Sequence, residues 1–243
     1  MPPACGGWLS RSRSHPSDPV DDRLLPRTSQ VPVPGVVLLP GWMDADLRIN
    51  MVHRCRAWGD GSGGPRSPRM RNGSPMSVAM FGLGWHWYPY RYSRTRDDGD
   101  GGRALPFPLW LGDLARRAVA DAVALSRSVA LDSDGFTPDV ALVNWYRPAA
   151  KMGMHVDSDE VVAAPVVSLS VGATGLFRFG NSQGRGRPWV DLPLESGDVV
   201  VFGGPARLAY HGVPRLVPGT GDPVVGDLPG RLNVTIRQTG LPG

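Results

Sequence analysis

Short segments rich in β-branched and aromatic residues fill the second half of the chain, and this feature restricts the fold most. From Asp139 onward, turns that contain glycine or proline separate these segments. The segments are Val140–Tyr146, Val166–Val171, Leu176–Phe179, Trp189–Leu194, Val199–Phe202 and Leu232–Thr239. Many short strands at such a spacing are typical of a β-sandwich or a jelly roll.

The first half of the chain adds predicted helices to this sheet structure. Apolar residues recur every three or four positions near residues 108–130, which predicts an amphipathic helix. A more modest helix is expected from Asp44 to Trp58, after a short buried strand at Gly35–Pro40. Residues 59–75 are dense in Gly, Pro, Ser and Arg and should form a loop, and Met76–Met80 should form the next strand. The predicted fold class is therefore mainly β with flanking helices.

Length and composition predict one domain preceded by a tail. The chain has 243 residues, of which 41% are hydrophobic, and this suits a single globular domain at residues 34–243. Residues 1–33 are rich in Pro, Ser and Arg and are expected to be disordered or loosely attached. Because Cys5 lies in that tail, a disulfide with Cys55 is not expected, and a reducing cytoplasm is the expected location. We expect neither a signal peptide nor a membrane span, since no apolar run approaches the required length.

His155 and Asp157 form an H-x-D pair, and side chains two positions apart on a strand point to the same face. Both side chains could therefore meet one ion. His211 lies in the sequence Tyr210-His211-Gly212, at a position expected just beyond a strand. Two imidazoles and one carboxylate form the facial triad of non-haem Fe(II) oxygenases, which leaves positions open for substrate and O2. The H-x-D pair alone also fits a solvated strand edge, so it does not establish a metal site.

The segment Arg231–Arg237 alternates strictly between polar and apolar residues. One strand face carries Arg231, Asn233, Thr235 and Arg237, and the other carries Leu232, Val234 and Ile236. If the polar face is solvated, the two arginines need no partner. If it points inward, two buried guanidinium groups require anions, and a dicarboxylate co-substrate would supply them.

Four motifs occur in a fixed order between Met76 and Gly240. They are Asn144-Trp145-Tyr146-Arg147-Pro148, Lys151 with the H-x-D-x-D-E block at His155–Glu160, Leu194–Val201 with Arg207–Gly212, and the R-x-N-x-T-x-R-Q ending at Arg231–Gln238. Together they resemble the motifs of the AlkB family of Fe(II)- and 2-oxoglutarate-dependent dioxygenases. Met76-Ser77-Val78-Ala79-Met80 also resembles the bacterial branch of that family, which repairs alkylated DNA.

The resemblance implies a double-stranded β-helix, or jelly roll, that holds Fe(II) on His155, Asp157 and His211. It also implies a 2-oxoglutarate co-substrate whose distal carboxylate pairs with Arg231. The co-substrate pocket would include Asn144, Tyr146, Asn233, Thr235 and Arg237. The implied reaction is oxidative dealkylation with O2, in which the alkyl carbon on a base nitrogen is hydroxylated and released as an aldehyde.

Five aromatic residues lie between Trp85 and Tyr92. By resemblance, Trp85, Tyr90 and Tyr92 belong to a nucleotide-recognition lid at about residues 76–100. Chemistry on a base requires its extrusion from the stack, and an aromatic wall repays part of that cost. The alternative is that these rings only fill the core or the surface. Asp159 would by likeness accept a hydrogen bond from the exocyclic amine of the base, and Arg185 would either touch phosphate or base or be solvated.

The charge of the chain is compatible with a nucleic-acid partner without requiring one. The formal net charge is +4, and Lys151 is the only lysine, so arginine supplies nearly all of the positive charge. Arginine favours bidentate contacts to phosphate, although an arginine-rich composition also follows from a GC-rich coding sequence. The resemblance implies action on N1-methyladenine and N3-methylcytosine in alkylated DNA, with single strands preferred. We expect the protein to be a monomer.

Other functions remain open on the sequence alone. The same chemistry on RNA, tRNA or a free modified nucleotide would use the same residues. A non-catalytic, nucleic-acid-binding jelly roll is a third possibility, but an intact triad argues against it. A Zn(II) hydrolase also uses two histidines and an aspartate, yet it would not explain the arginines of the last strand.

Overall fold

Two antiparallel β-sheets stack against each other in the computed structural model, which describes residues 26–61, 63–70, 72–130 and 134–242. The strands are β1 (Gln30–Val33), β2 (Val36–Leu39), β3 (Ala79–Leu83), β4 (His86–Tyr88), β5 (Arg91–Ser93), β6 (Val140–Tyr146), β7 (Met152–His155), β8 (Val166–Gly172), β9 (Gly175–Phe179), β10 (Val190–Leu194), β11 (Val199–Phe202), β12 (His211–Leu216) and β13 (Arg231–Arg237). The larger sheet has the order β1-β2-β11-β8-β13-β6-β3, and the smaller sheet has the order β10-β9-β12-β7. β4 and β5 form a separate hairpin. The predicted mainly β jelly roll is confirmed.

Alternation along the strands creates two apolar cores on opposite faces of the larger sheet. Leu232, Val234 and Ile236 of β13 point to the first core, which lies between this sheet and the helices. The second core lies between the two sheets and includes Phe177, Phe179, Leu192, Leu194, Val200, Phe202 and Val213. The polar residues of β13 therefore point into the space between the sheets, and all of them are buried. The polar face of β13 is therefore buried rather than solvated, and its two arginines point inward.

The two helices, α1 (Ala45–Gly59) and α2 (Leu109–Leu125), cover the outer face of the larger sheet. The carboxylate of Asp44 accepts a hydrogen bond from the Leu47 backbone N–H at 2.8 Å and caps α1 at the predicted position. α2 buries its apolar stripe as predicted, but it ends before residue 130 because Ser126 adopts an extended backbone, with φ −155°. Neither helix in the described chain is long and apolar enough to cross a membrane.

The strand predicted at Met76–Met80 begins later, at Ala79. The reason is a local competition for hydrogen bonds. The Ser77 hydroxyl donates to the Lys151 carbonyl at 2.7 Å and accepts from the Lys151 backbone N–H at 3.0 Å. Met76 instead donates its backbone N–H to the Pro68 carbonyl. These bonds hold the segment against the loop after β6 rather than within the sheet.

Ordered structure begins earlier than the tail predicted at residues 1–33. β1 pairs with β2, and Arg27 makes a two-pronged ion pair with Asp198, at 2.9 and 2.5 Å. Asp198 is completely buried, and it also accepts hydrogen bonds from the backbone N–H groups of Gly41 and Glu195. The expected disorder is therefore wrong for residues 26–33, while residues 1–25 lie outside the described part of the chain.

Cys55 is buried in α1 and forms no disulfide within the described residues. Burial raises the pKa of its thiol to about 12, so the thiol stays protonated and packs as a small apolar side chain. Cys5 lies outside the described residues.

Replacement of Asp198 should destabilise the protein. Asp198→Ala removes both hydrogen bonds that the Arg27 guanidinium makes to this carboxylate, leaves it the exposed Glu195 carboxylate at 3.3 Å, and leaves two backbone N–H groups unpaired. We expect the free energy of unfolding to fall by about 3 kcal/mol. Urea denaturation measures this change, and Asp46→Ala, at an exposed aspartate of α1, is the matched control. Equal midpoints for the two variants would contradict the structural role of Asp198.

Candidate active site

Two histidines meet across neighbouring strands of the smaller sheet. His155 ends β7 and His211 begins β12, and the two residues are direct partners in the strand register. His211 was expected just after a strand, so its predicted place is corrected to the first position of one. The ring centroids lie 4.5 Å apart. Asp157 follows β7 by two residues, and the ligand atoms of all three residues lie within 4.8 Å of one another.

Backbone carbonyls fix the orientation of both imidazole rings. His155 Nδ1 donates to the Gly153 carbonyl at 2.9 Å, and His211 Nδ1 donates to the Ala209 carbonyl at 3.0 Å. Each bond leaves an Nε2 lone pair directed toward Asp157, at 3.6 Å for His155 and 3.5 Å for His211. This is the tautomer that binds a metal, with the second ring nitrogen held by the protein.

The electrostatic environment keeps Asp157 ionised. Burial alone would raise its pKa, but the charge of the nearby Arg237 guanidinium contributes most to the opposite shift, and the pKa is lowered. Burial, followed by the charge of His211, lowers the pKa of His155 to about 4, so this ring is neutral at pH 7. Asp157 Oδ2 lies 2.7 Å from Arg237 Nη2 but receives no hydrogen bond from the described residues. A buried carboxylate oxygen without a donor, beside a neutral imidazole, fits an Fe(II) site.

Arg231 is a buried cation without a counterion. It is 1% exposed, and its Nη atoms donate to the Ser170 hydroxyl at 2.8 Å and to the Leu194 carbonyl at 3.2 Å. Its Nε has no hydrogen-bond partner, and no carboxylate of the described residues lies at ion-pair distance from it. Gly175 makes room for this group, because a Cβ there would lie 3.0 Å from Nε. The distal carboxylate of 2-oxoglutarate fits this unbalanced charge.

A polar network connects the strands between Arg231 and the triad. Asn144 Nδ2 donates to Asn233 Oδ1 at 3.2 Å, and the Thr235 hydroxyl donates to the same oxygen at 2.9 Å. Asn233 Nδ2 donates in turn to the Ser168 hydroxyl at 2.8 Å. Tyr146 is buried in the same wall. The structure thus brings together all the residues predicted for the co-substrate pocket.

Glu160 and Arg207 hold the loop that carries Asp157, a role that sequence reasoning missed although both residues lie in the quoted motifs. Arg207 Nη2 donates to Glu160 at 2.8 Å, and Arg207 Nη1 donates to the Asp157 carbonyl at 2.6 Å. The Tyr92 hydroxyl donates to Glu160 Oε1 at 2.5 Å and accepts from Arg237 Nη1 at 3.0 Å. The acids and the arginines of this network balance each other in charge.

A cavity of about 770 Å³ opens over the triad. Three of the residues predicted to bind the base line it, namely Tyr90, Asp159 and Arg185. Its wall also includes five methionines, at positions 70, 76, 80, 152 and 154. The cavity is therefore continuous from Arg231, past the triad, to a mouth with aromatic and charged side chains.

Two of the predicted lid residues lie behind the cavity wall rather than in it. Trp85 is buried, donates its Nε1–H to Asp139 at 2.9 Å and stacks under Arg94, whose Cζ is 3.5 Å from the ring centroid. Tyr92 is buried in the Glu160 network. Trp87 lines the cavity instead and donates its Nε1–H to Asp159 at 2.8 Å. Trp85 lies in a bend just before β4. Because of this bend, its side chain does not point into the cavity that Trp87 lines.

The comparisons with known proteins agree with this geometry. The chain matches the family model of the 2OG-Fe(II) oxygenase superfamily over residues 35–237. It is 37% identical over 215 residues to the alpha-ketoglutarate-dependent dioxygenase AlkB homolog of Caulobacter vibrioides, which covers 85% of this chain and 88% of that protein. The solved structure of OsALKBH1 matches with a TM-score of 0.75 and 35% identity, over 86% of this chain and 100% of that one.

One plant relative is a much longer protein. The DNA N(6)-methyladenine demethylase ALKBH1C of Arabidopsis thaliana is 33% identical over 221 residues, which are 84% of this chain and 48% of that protein. The chain thus spans about half the length of this relative. The matches and the triad define a 2-oxoglutarate-dependent dioxygenase, whose class uses Fe(II), 2-oxoglutarate and O2. Within this class, the chain belongs to the AlkB family.

Loss of a triad residue should abolish stoichiometric iron binding. His155→Ala and Asp157→Ala each remove one of three ligands, and a facial triad has no spare protein ligand. Anaerobic titration with Fe(II) measures the affinity, and Asp191→Ala, at an exposed aspartate of β10, serves as the control. Wild-type affinity in both triad variants would show that the metal lies elsewhere.

Arg231→Ala should raise the KM for 2-oxoglutarate at least ~10-fold, because a charge-assisted hydrogen bond contributes roughly 1.5–3 kcal/mol. Arg231→Lys keeps the charge but loses the bidentate geometry, so we expect an intermediate KM. Succinate formation measures the KM, with Arg54→Ala on α1 as the control. An unchanged KM in Arg231→Ala would place the co-substrate at another site.

Proposed function

We propose that this enzyme oxidatively removes methyl groups from N1-methyladenine and N3-methylcytosine in DNA, with single strands preferred. The observation that carries the proposal is the position of Asp159. Its carboxylate is held in the cavity wall by Trp87, in the same cavity as the triad. An anion at this place favours a positively charged base over a neutral one.

Both lesions carry the charge that this wall would select. Methylation at either position places a positive charge on the base and blocks Watson–Crick pairing. Extrusion of such a base from the stack costs less than extrusion of a paired one. Asp159 Oδ2 accepts the Trp87 N–H, whereas Oδ1 accepts no hydrogen bond from the described residues. Oδ1 is thus available to an exocyclic amine of the base.

Aromatic rings at the cavity mouth support binding of a cationic base. Trp87 and Tyr90 both line the cavity, and Tyr90 is 48% exposed in the turn between β4 and β5. Its φ of 74° lies in the left-handed region, which is unusual for a residue with a side chain, and forms part of this turn. A cation stacks well on the electron-rich faces of Trp and Tyr. Base stacking is therefore assigned to these two rings, in place of Trp85 and Tyr92.

The residues below the mouth orient the co-substrate. Arg231, which lines the cavity and is held by the Ser170 hydroxyl, would receive the distal carboxylate, and the opposite end would lie at the metal held by the triad. Fe(II) held there would supply, with 2-oxoglutarate and O2, oxidative hydroxylation of the methyl carbon, with succinate and CO2 as co-products and formaldehyde released from the base. Arg207 and Glu160 keep Asp157 in place during this reaction.

Cationic and neutral lesions should differ in turnover. We expect formaldehyde release from an oligonucleotide with N1-methyladenine to exceed release from a matched one with N3-methylthymine at least ~10-fold, which corresponds to about 1.4 kcal/mol. Asp159→Asn preserves the shape of the side chain but removes its charge, so it should reduce this preference, and Asp46→Asn, at an exposed aspartate of α1, is the control.

Equal turnover of the two lesions by the wild-type enzyme would contradict the charge-based selection. Turnover of the same lesions in RNA but not in DNA would assign the enzyme to RNA demethylation.

A further inference from the structure

The outer face of the smaller sheet is uncovered in the described chain, whereas α1 and α2 cover the larger sheet. Phe177 and Phe179 point inward from β9, so Arg178 between them points outward. Asp191 of β10 is the register partner of Arg178, and Arg215 of β12 is exposed. We call this surface the basic face, and its members are Arg178, Arg187, Trp189, Asp191 and Arg215.

The basic face carries three guanidinium groups and one carboxylate, and among the described residues the carboxylate pairs with Arg178 alone. Arg178 Nε and Nη2 each donate to Asp191 at 2.7 Å and occupy both of its oxygens. The hydrogen bond from Arg178 lowers the pKa of Asp191 most, and the charges of Arg187 and Arg215 contribute further. Three cations and one anion leave a local charge of +2. Arg187 and Arg215 have no carboxylate at ion-pair distance among the described residues.

Trp189 organises two of these arginines. The Arg178 Cζ lies 4.4 Å from the Trp189 ring centroid, and the Arg187 Cζ lies 4.7 Å from it. Stacking on an indole restricts a guanidinium without occupying its N–H donors. The donors of Arg187 are therefore ordered and still available to an oxyanion.

The basic face is continuous with the mouth of the cavity through the loop at residues 180–189. Asn181 fixes this loop, because its Oδ1 accepts from the backbone N–H groups of Gln183 and Gly184, at 2.8 and 3.2 Å. The Tyr210 backbone N–H donates to the Asn181 carbonyl at 2.9 Å. Arg185, which belongs to the loop, and Tyr210, which is bonded to it, both line the cavity.

We propose that the basic face binds the phosphates of the single strand beyond the nucleotide whose base enters the cavity. This inference rests on the proposed function, since it requires a nucleic-acid substrate. Arginine donors match phosphate oxygens in a bidentate manner, and the strand reaches this face by passing Arg185. Arg187 and Arg215 would be the main phosphate contacts, and neither touches the cavity.

The test compares two double variants of equal charge. Arg187→Ala with Arg215→Ala removes both contacts, and Arg54→Ala with Arg127→Ala removes the same charge from exposed arginines near the helices. Binding to a labelled single strand of ~20 nucleotides with one central N1-methyladenine is measured by fluorescence anisotropy at several salt concentrations. For the first variant we expect Kd to rise roughly tenfold and the salt slope to fall by about 1.4, at about 0.7 per phosphate contact.

A methylated trinucleotide separates the basic face from the cavity. The first variant should retain the wild-type kcat/KM for the trinucleotide and lose activity only on the long strand. Equal binding losses in the two double variants would overturn the proposal, as would a reduced kcat/KM for the trinucleotide. Competition by polyglutamate as strong as that by unmodified single-stranded DNA would assign the face to acidic proteins instead. If the wild-type enzyme demethylates neither substrate, the proposed function fails, while the anisotropy comparison still tests the basic face.

Discussion

The rest of the site depends on the ion pair between the buried Asp157 carboxylate and the Arg237 guanidinium. A carboxylate can stay ionised away from water only if cations and donors surround it. Arg237 supplies charge, and Arg207 fixes the backbone of the same loop. The strict alternation of β13 makes this possible, because it sends its apolar residues to the helices and its polar residues between the sheets. Arg231 differs from Arg237, since this buried guanidinium has no carboxylate at ion-pair distance among the described residues.

The same network couples the β4–β5 hairpin to the triad. The Tyr92 hydroxyl lies between Glu160 and Arg237, so β5 is attached to the residues that hold Asp157. Trp87 makes a second connection through Asp159, two residues after the metal ligand. The hairpin and the triad thus belong to one hydrogen-bonded unit. Movement of the hairpin would therefore shift the residues of the triad.

Much of the fold and the chemical core could be predicted because their signals are local. Period-two alternation identified β13, and the triad was identified by the H-x-D pair and the distal histidine together with the resemblance of four ordered motifs to the AlkB family. Features that depend on distant partners could not be predicted. The ordered segment at β1 relies on Arg27 reaching Asp198, 171 positions away. Similarly, the bend before β4 decides which tryptophan faces the cavity, and no periodicity in the sequence reports it.

The orientation of both metal-binding imidazoles relies on main-chain carbonyls, those of Gly153 and Ala209. In many metal sites a neighbouring side chain accepts this hydrogen bond, and its replacement lowers the affinity for the metal. Here the acceptor persists whatever residue occupies either position, provided that the strand pairing holds. The orientation of both rings is therefore a property of the backbone path, and Gly212 protects that path, because a Cβ at this position would lie 2.8 Å from the Gly153 carbonyl oxygen.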